Sequence, residues 1–395
     1  MTGHAIVSGG SIGGLFAAAA LMRAGWTVDV HERSEVELAG RGAGIVTHDV
    51  LIDALEAVGA ETRDLGVAVE DRVAFDRDGR RVATLPYPQI VTSWDRIHGI
   101  LRALIPDDRH HLGRQVAGYD GDGDGVTVRF DGGPEARADL LIGADGFRSA
   151  VRAQMLPDVV PEFSGYVVWR ALAREADLPG AFRREVFPTF SFYAPEGTQI
   201  IGYPIAGPDN DLAPGNRRFN FVWYAPPLAG GIDDMLTDAG GHRHGVSIPP
   251  PLVRADVLEA MRAQAGALLP ANFAEVLDLG ERPFFTPIYD HHAPVMAQGR
   301  VALAGDAACV ARPHVGMGVT KAALDALALA RHLGAGPVEA SLAAYGAERV
   351  PASKAAHDHA RQLGAWIFGG DGTNLDGRSN PKLDEIMRTT AVTVA

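Results

Sequence analysis

The chain has 395 residues, 47% of them apolar and 22% charged, an ordinary globular composition with material for one large domain or two or three packed subdomains. A formal net charge of −13 argues against nucleic acid as a partner, because phosphate contacts need a basic footprint. The single cysteine, Cys309, excludes an intrachain disulfide and a Cys-x-x-Cys redox pair.

Residues 5–8 read as a buried strand, 11–24 as an Ala- and Leu-rich helix and 27–31 as a second strand, giving a β-α-β unit with a parallel pair. Helical periodicity follows at 49–58 and 96–104. Val126, Val128 and Phe130 alternate with polar residues as in a half-exposed strand, and 140–144 is a continuous apolar strand. From 165 to about 285 the texture becomes aromatic and β-rich: Y-V-V-W-R at 166–170, F-S-F-Y at 190–193, I-I-G-Y-P-I at 200–205 and F-N-F-V-W-Y at 219–224. One helix is expected within it, at 252–269. A buried strand returns at 301–304, a long helix at 319–333, and the remainder is helical apart from a polar tail after 369. Apolar windows such as 323–333 are broken by Asp325 and Arg331, so no membrane span is expected. The N-terminus lacks the basic flank and cleavage site of a signal peptide, and the expected location is cytoplasmic.

Three separated stretches carry chemistry. The first is Gly9-Gly10-Ser11-Ile12-Gly13-Gly14, between strand and helix. A turn without bulky Cβ atoms lets the backbone approach a pyrophosphate, and the helix N-terminus offers N–H groups and a positive dipole end to it. Gly9, Ser11, Ile12 and Gly14 are therefore candidate nucleotide contacts, with a Gly-rich packing turn as the alternative. Ser11 replaces the middle glycine of the fingerprint, and its hydroxyl can itself reach phosphate. Glu32 ends the second strand, where a carboxylate accepts ribose hydroxyls.

The second stretch is L-L-I-G-A-D-G-F-R-S-A-V-R, from Leu140 to Arg152. It puts Asp145 at the carboxyl edge of a sheet, where open α/β folds bind ligands. A plain helix cap through Ser149 is the alternative. The third is G-R-V-A-L-A-G-D-A-A, 299–308, followed by R-P-H-V-G-M-G-V-T-K, 312–321. Asp306 is expected to bond ribityl or ribose hydroxyls. The turn at Gly316 opens a helix whose N–H groups, near Gly318 and Val319, are expected to face an electron-rich cofactor atom.

Together these motifs resemble the p-hydroxybenzoate hydroxylase family of single-component FAD monooxygenases, and the resemblance runs along nearly the whole chain. It implies an α/β fold: an FAD-binding Rossmann-like domain, an inserted mixed β-sheet substrate domain and C-terminal helices. On that basis the FAD domain is expected at 1–70, 95–160 and 286–345, the substrate domain at 71–94 and 161–285, and a helical segment and tail at 346–395. The resemblance also implies FAD, NADH or NADPH as co-substrate, O2, a flavin C4a-hydroperoxide and a homodimer. The substrate it implies is a small, electron-rich hydroxylated aromatic ring such as a hydroxypyridine. Arg33 and Val116 join the candidate cofactor contacts. Arg41 sits where the family's mobile flavin loop begins, and is either a phosphate or substrate contact or a solvated surface residue. The chain departs from the family at Trp94, where arginine is common, at Cys309, where histidine is frequent, and near Thr320, where an asparagine is usual.

A hydroxylase needs its ring hydroxyl deprotonated, and histidine titrates in a suitable range. His48 and His314 adjoin expected flavin turns and are candidate bases, against the alternative of loop histidines bonded to backbone. Tyr203 is the next catalytic candidate. It belongs to an aromatic set, with Phe190, Phe192, Trp223 and Tyr224, that walls a ring pocket or is ordinary core. The Asp120–Asp131 run mimics a calcium loop but has strand-like flanks and no bidentate Glu, so a hairpin turn and no metal are expected. His110-His111, His291-His292 and His242/His244 read as surface residues, and Cys309 as a packed thiol. The rival readings are a same-fold flavoprotein acting on a non-aromatic or larger natural product, and a non-catalytic FAD-binding sensor.

Overall fold

A computed structural model describes residues 3–38, 44–334, 336–368 and 383–394. Its first sheet has six strands in the order Ala297–Gln298, Val301–Leu303, Leu140–Gly143, His4–Ser8, Thr27–His31, His110–His111. The inner strands are short, apolar and buried on both faces, as parallel strands covered by helices must be. Their register decides where chemistry can occur. Ser8 lies opposite Gly143 and His31, and Gly143 lies opposite Leu303, all in parallel pairs. The strand ends therefore align, and Gly9, Glu32, Asp145 and Asp306 emerge along one carboxyl edge.

Helices Ile12–Arg23 and Gly318–Leu333 pack against each other on this sheet. A Cβ on Gly13 would meet Ala322 Cβ at 3.5 Å, so the crossing is close but not closed to alanine.

The second sheet has nine strands in the order Cys309–Val310, Phe284–His292, Glu162–Arg174, Arg218–Ala225, Gln199–Ile205, Phe190–Tyr193, Val67–Phe75, Arg81–Ser93, Gly44–Val46. Alternation along these strands makes two apolar faces. Trp169, Phe219, Phe221, Trp223 and Phe285 pack under helix Ala255–Leu268. Tyr166, Val168, Phe190, Ile201, Tyr203 and Tyr224 line the opposite face, against which helix Leu383–Thr389 also packs. No described helix is long and apolar enough to cross a membrane.

Several boundaries differ from the sequence reading for local reasons. The helix expected at 96–104 starts at Trp94, because Ser93 accepts the Arg96 N–H at 3.1 Å and caps it. The helix expected at 252–269 starts at Ala255, because Pro249 and Pro250 hold a separate short turn. The Asp122 carboxylate accepts the N–H groups of Asp124 and Gly125, which makes the acidic run a hairpin turn between Val116–Gly121 and Val126–Phe130. Among the described residues no metal-ligand cluster exists. His110 and His291 are buried rather than on the surface, and His291 accepts from Arg152 at 3.0 Å. Cys309 is a packed thiol, pushed up to about 12 by burial.

Candidate active site

The glycine turn is built for backbone approach. Gly9 has φ +111, and a Cβ there would overlap the Ala144 carbonyl oxygen, while one on Gly14 would overlap the Gly9 carbonyl oxygen. Ser11 is the N-cap of the first helix, and its side chain makes no cap hydrogen bond, so the first-turn N–H groups lack a side-chain partner. Glu32 is buried, and its two oxygens accept the N–H groups of Gly10 at 2.8 Å and Ser34 at 2.9 Å. It thus fixes the turn as well as facing the cavity beside it, a role the motif alone does not announce.

That cavity, of about 390 Å³, is lined by Gly9, Ser11, Glu32, Arg33, Val116, Asp145 and Arg148, among others. Asp145 accepts from the Ser149 hydroxyl at 2.5 Å and from the Ala150 N–H at 2.8 Å, and Ser149 accepts from Arg152 N–H. The cap reading of this motif is therefore realised, and Asp145 also walls the cavity. Burial raises its carboxyl pKa, opposed by those hydrogen bonds. Ile12 is buried beneath the turn, outside the cavity wall.

A second cavity, of about 470 Å³, shares Phe147 and Ser247 with the first. Asp306, Gly316, Gly318 and Val319 line it from one side, and Phe190, Ile201, Tyr203, Val222 and Tyr224 from the second sheet. Asp306 opens onto this space but is ringed by protein, and burial raises its carboxyl pKa. Its backbone is set from behind. Lys321 donates to the Gly305 carbonyl at 2.7 Å, Asp325 accepts the Gly305 N–H at 3.0 Å, and Arg349 pairs with Asp325 at 2.8 Å. Helix Gly318–Leu333 has no acidic first-turn residue and no side-chain cap, so its N-terminal N–H groups face the cavity side unmasked.

The three catalytic candidates fall in different surroundings. His314 lines the 470 Å³ cavity but both ring nitrogens are engaged, with the Tyr166 hydroxyl at 2.9 Å and Gln199 Oε1 at 3.1 Å. Burial draws it down to about 3. Tyr203 stacks on Phe190 with centroids 5.0 Å apart, and burial holds its phenol far above the usual range, so it is neutral at any working pH. His48 does not line this cavity. It lines an adjoining one of about 480 Å³ that shares Val46 and Ala391 with it. Its Nδ1 meets Thr320 Oγ1 at 2.8 Å, while Nε2 faces the Ala391 carbonyl without a well-formed hydrogen bond. Burial draws it down to about 4. Arg41 lies outside the described residues.

One wall was invisible in the sequence. Arg72, fully buried, donates to the carbonyls of Met387, Thr390 and Ala391, and Ala391 N–H donates to the His314 carbonyl at 2.9 Å. The C-terminal segment is thereby pinned beside Gly316, with Ala391 in the cavity wall.

An uncapped helix start, glycines that admit no side chain and carboxylates aligned on one sheet edge fit the pyrophosphate and sugar hydroxyls of a dinucleotide. The fold and site define an FAD-binding α/β flavoprotein with a ring-sized chamber beside its cofactor groove. Residues 163–290 match the family described as FAD binding domain-like, and 286–360 the FAD binding domain family. The chain is 34% identical over 331 residues to 2,6-dihydroxypyridine 3-monooxygenase of Paenarthrobacter nicotinovorans, covering 83% of this chain and 82% of the relative. It is 30% identical to 3-amino-4-hydroxybenzoate 2-monooxygenase of Streptomyces cremeus, covering 97% and 91%. The solved structure of 2,6-dihydroxypyridine-3-hydroxylase from Arthrobacter nicotinovorans superposes with a TM-score of 0.87 at 31% identity, covering 97% and 98%. The chain belongs to the p-hydroxybenzoate hydroxylase-type family of FAD-dependent aromatic monooxygenases. It is an FAD enzyme that consumes NAD(P)H and O2.

Proposed function

We propose that the enzyme hydroxylates a small, electron-rich hydroxylated N-heteroaromatic ring of the hydroxypyridine class. The observation that carries this is the 470 Å³ chamber, walled by aromatic strands on one side and by the Asp306 and Gly318 turns on the other. The 2,6-dihydroxypyridine 3-monooxygenase relative supports the choice of ring.

In this reading Gly9, Ser11 and Gly14 cradle the pyrophosphate, Glu32, Arg33 and Val116 flank the adenosine half, and Asp145 and Asp306 bond the hydroxyls between. The N–H groups of Gly318 and Val319, after the Gly316 turn, favour negative charge on the flavin ring. When bound, FAD accepts hydride from NAD(P)H and activates O2 for transfer of one oxygen atom to the substrate. The protein's own part is positional. Phe190, Tyr203 and Tyr224 hold the ring by stacking and exclude water, which would otherwise divert the oxygen to hydrogen peroxide. His314, held neutral between Tyr166 and Gln199, fixes the turn that carries Gly316. Of the two candidate histidines His48 is the one with a ring nitrogen not firmly committed, and it passes the ring's proton on toward the adjoining cavity.

We read the enzyme as a cytoplasmic homodimer. The lone buried thiol suits a reducing compartment, and the family resemblance supports the dimer, which sedimentation of the holoenzyme tests. The central test is NADH consumption by purified holoenzyme with and without 2,6-dihydroxypyridine. Stimulation with formation of a trihydroxypyridine supports the reading. Oxidation of NADH that no hydroxylated N-heteroaromatic accelerates rejects it.

A further inference from the structure

Arg170 lies in the Glu162–Arg174 strand, where the register sets it beside Val222 and Phe284. It lines the 470 Å³ chamber together with Phe190, Ile201, Tyr203 and Tyr224, and its charge reaches both phenols. Arg312, the other arginine of that wall, is paired with Asp290 at 2.5 Å, and Arg72, behind Phe190, is saturated by carbonyls. Arg170 has no such partner. Among the described residues no carboxylate, carbonyl or ring receives a hydrogen bond or ion pair from it. Among the described residues the one carboxylate in the chamber wall is Asp306, on the cofactor side.

Arg170 is half-buried in an aromatic wall, where a guanidinium with no protein partner is best met by an anion. Its planar fork of donors matches an anionic oxygen far better than a neutral ether or ring nitrogen. We propose that Arg170 is the anion subsite of the chamber: it binds the ionised ring oxygen of the substrate and so selects rings that are held as anions. This deepens the substrate reading above and rests on it. The hydroxyl proton leaves by way of His48 and the adjoining cavity, and no bond to carbon changes in that step. The ionised form is also the one rich enough in electrons to take up oxygen, so one contact sets both selection and reactivity. The remaining titratable groups around the chamber are Tyr203, Tyr224, Tyr289, His314, Arg312 and Asp306. Tyr203 and Tyr224 stay neutral, His314 stays uncharged at neutral pH and Arg312 is neutralised by Asp290, so none of them duplicates the positive charge that Arg170 presents.

The test is calorimetric binding to FAD-loaded enzyme, with 2,6-dihydroxypyridine and its neutral analogue 2,6-dimethoxypyridine as probes. Wild type should bind the dihydroxy ring more tightly as pH rises through that ring's own pKa. Arg170→Met should weaken this binding about 10- to 100-fold, the worth of a charge-assisted hydrogen bond, and abolish the pH dependence. Dimethoxypyridine binding should not change, and Arg170→Lys should restore part of the loss. Equal loss for both probes marks a structural role and overturns the proposal, as does no loss for either. If wild type neither binds nor turns over the pyridine, the substrate reading has failed, and the same comparison with 3-amino-4-hydroxybenzoate and its methyl ester decides the subsite. Selective loss of the carboxylate probe in Arg170→Met then sustains an anion subsite. Loss of both, or binding of neither, ends it.

Discussion

Arg72 and Ala391, 319 residues apart in sequence, meet in a 3.0 Å hydrogen bond from the guanidinium to the Ala391 carbonyl. The same guanidinium holds the carbonyls of Met387 at 2.6 Å and Thr390 at 2.7 Å. Ala391 has φ +53, a left-handed conformation that costs an alanine about 1 kcal/mol and persists only when its surroundings enforce it. Arg72 enforces it from one side and the His314 carbonyl from the other. Burial draws Arg72 down to about 10, so it remains charged at neutral pH.

Arg72→Met should leave three buried carbonyls unpaired and destabilise the protein by roughly 3–5 kcal/mol. The tail wall should loosen and admit water to the chamber, so more hydrogen peroxide forms per NADH consumed. Calorimetric melting and peroxide yield measure the two effects. Unchanged melting with unchanged coupling removes the tail from the site.

Asp306 and Glu32 separate a cofactor contact from a structural one. Among the described residues nothing donates a hydrogen bond to the Asp306 carboxylate, which faces the chamber, so Asp306→Ala should weaken FAD binding about 10- to 100-fold while the apoprotein melts as before. Glu32→Ala should weaken FAD and also lower the apoprotein melting temperature, because the N–H groups of Gly10 and Ser34 lose their acceptor. FAD affinity unchanged in both variants, by equilibrium dialysis, shows that the groove lies elsewhere.

For the histidines, opposite outcomes are expected. His48→Asn should slow hydroxylation by about 10²- to 10⁴-fold near neutral pH, with partial recovery at higher pH as the ring ionises unaided. His314→Asn should mainly lower stability, by about 1–3 kcal/mol, because the Tyr166 hydroxyl and Gln199 lose their partner. Full coupled turnover by His48→Asn across pH assigns the proton path to another group.

Acid should unfold the enzyme early. Burial draws His31 and His48 down to about 4, and His291 and His314 down to about 3. Each binds its proton more weakly when folded than when unfolded, where the value is 6.5. Below that pH the unfolded chain takes up more protons, so stability falls as pH falls toward 4. The contribution of Asp290 is lost lower still: burial raises its pKa, but bonds from His357 and Arg312 win and hold it at about 2. Melting temperature should be level above neutrality and decline steadily below about pH 6.5. A level curve down to pH 4.5 means these rings are not buried and neutral.

What the sequence disclosed was local. The glycine turn, the Asp145 and Asp306 strand ends and the aromatic strands each show their pattern within a few residues, and strand register then aligns them. What it concealed depends on distant partners. Asp325 reads as a break in the apolar run at 323–333, yet it is buried with Lys321 around the Gly305 backbone. Arg72 looks like an outward residue of an alternating strand until the C-terminal carbonyls arrive. His110 and His291 lack ligand-like neighbours in sequence and so read as surface, although folding buries both. The helix cap and the ligand wall proved compatible at Asp145, which performs one and faces the other.

A Cβ added at Gly316 would come within 3.1 Å of Ala391 Cβ, and Gly316 itself has φ +67. Two left-handed residues, 75 positions apart in sequence, therefore share one small space. The two positions are sterically coupled: a side chain placed at 316 requires the loss of the one at 391, or pushes the tail outward and enlarges the chamber. The volume of this chamber is then a quantity that the C-terminal segment alone can reset, while the cofactor groove and the sheet remain untouched.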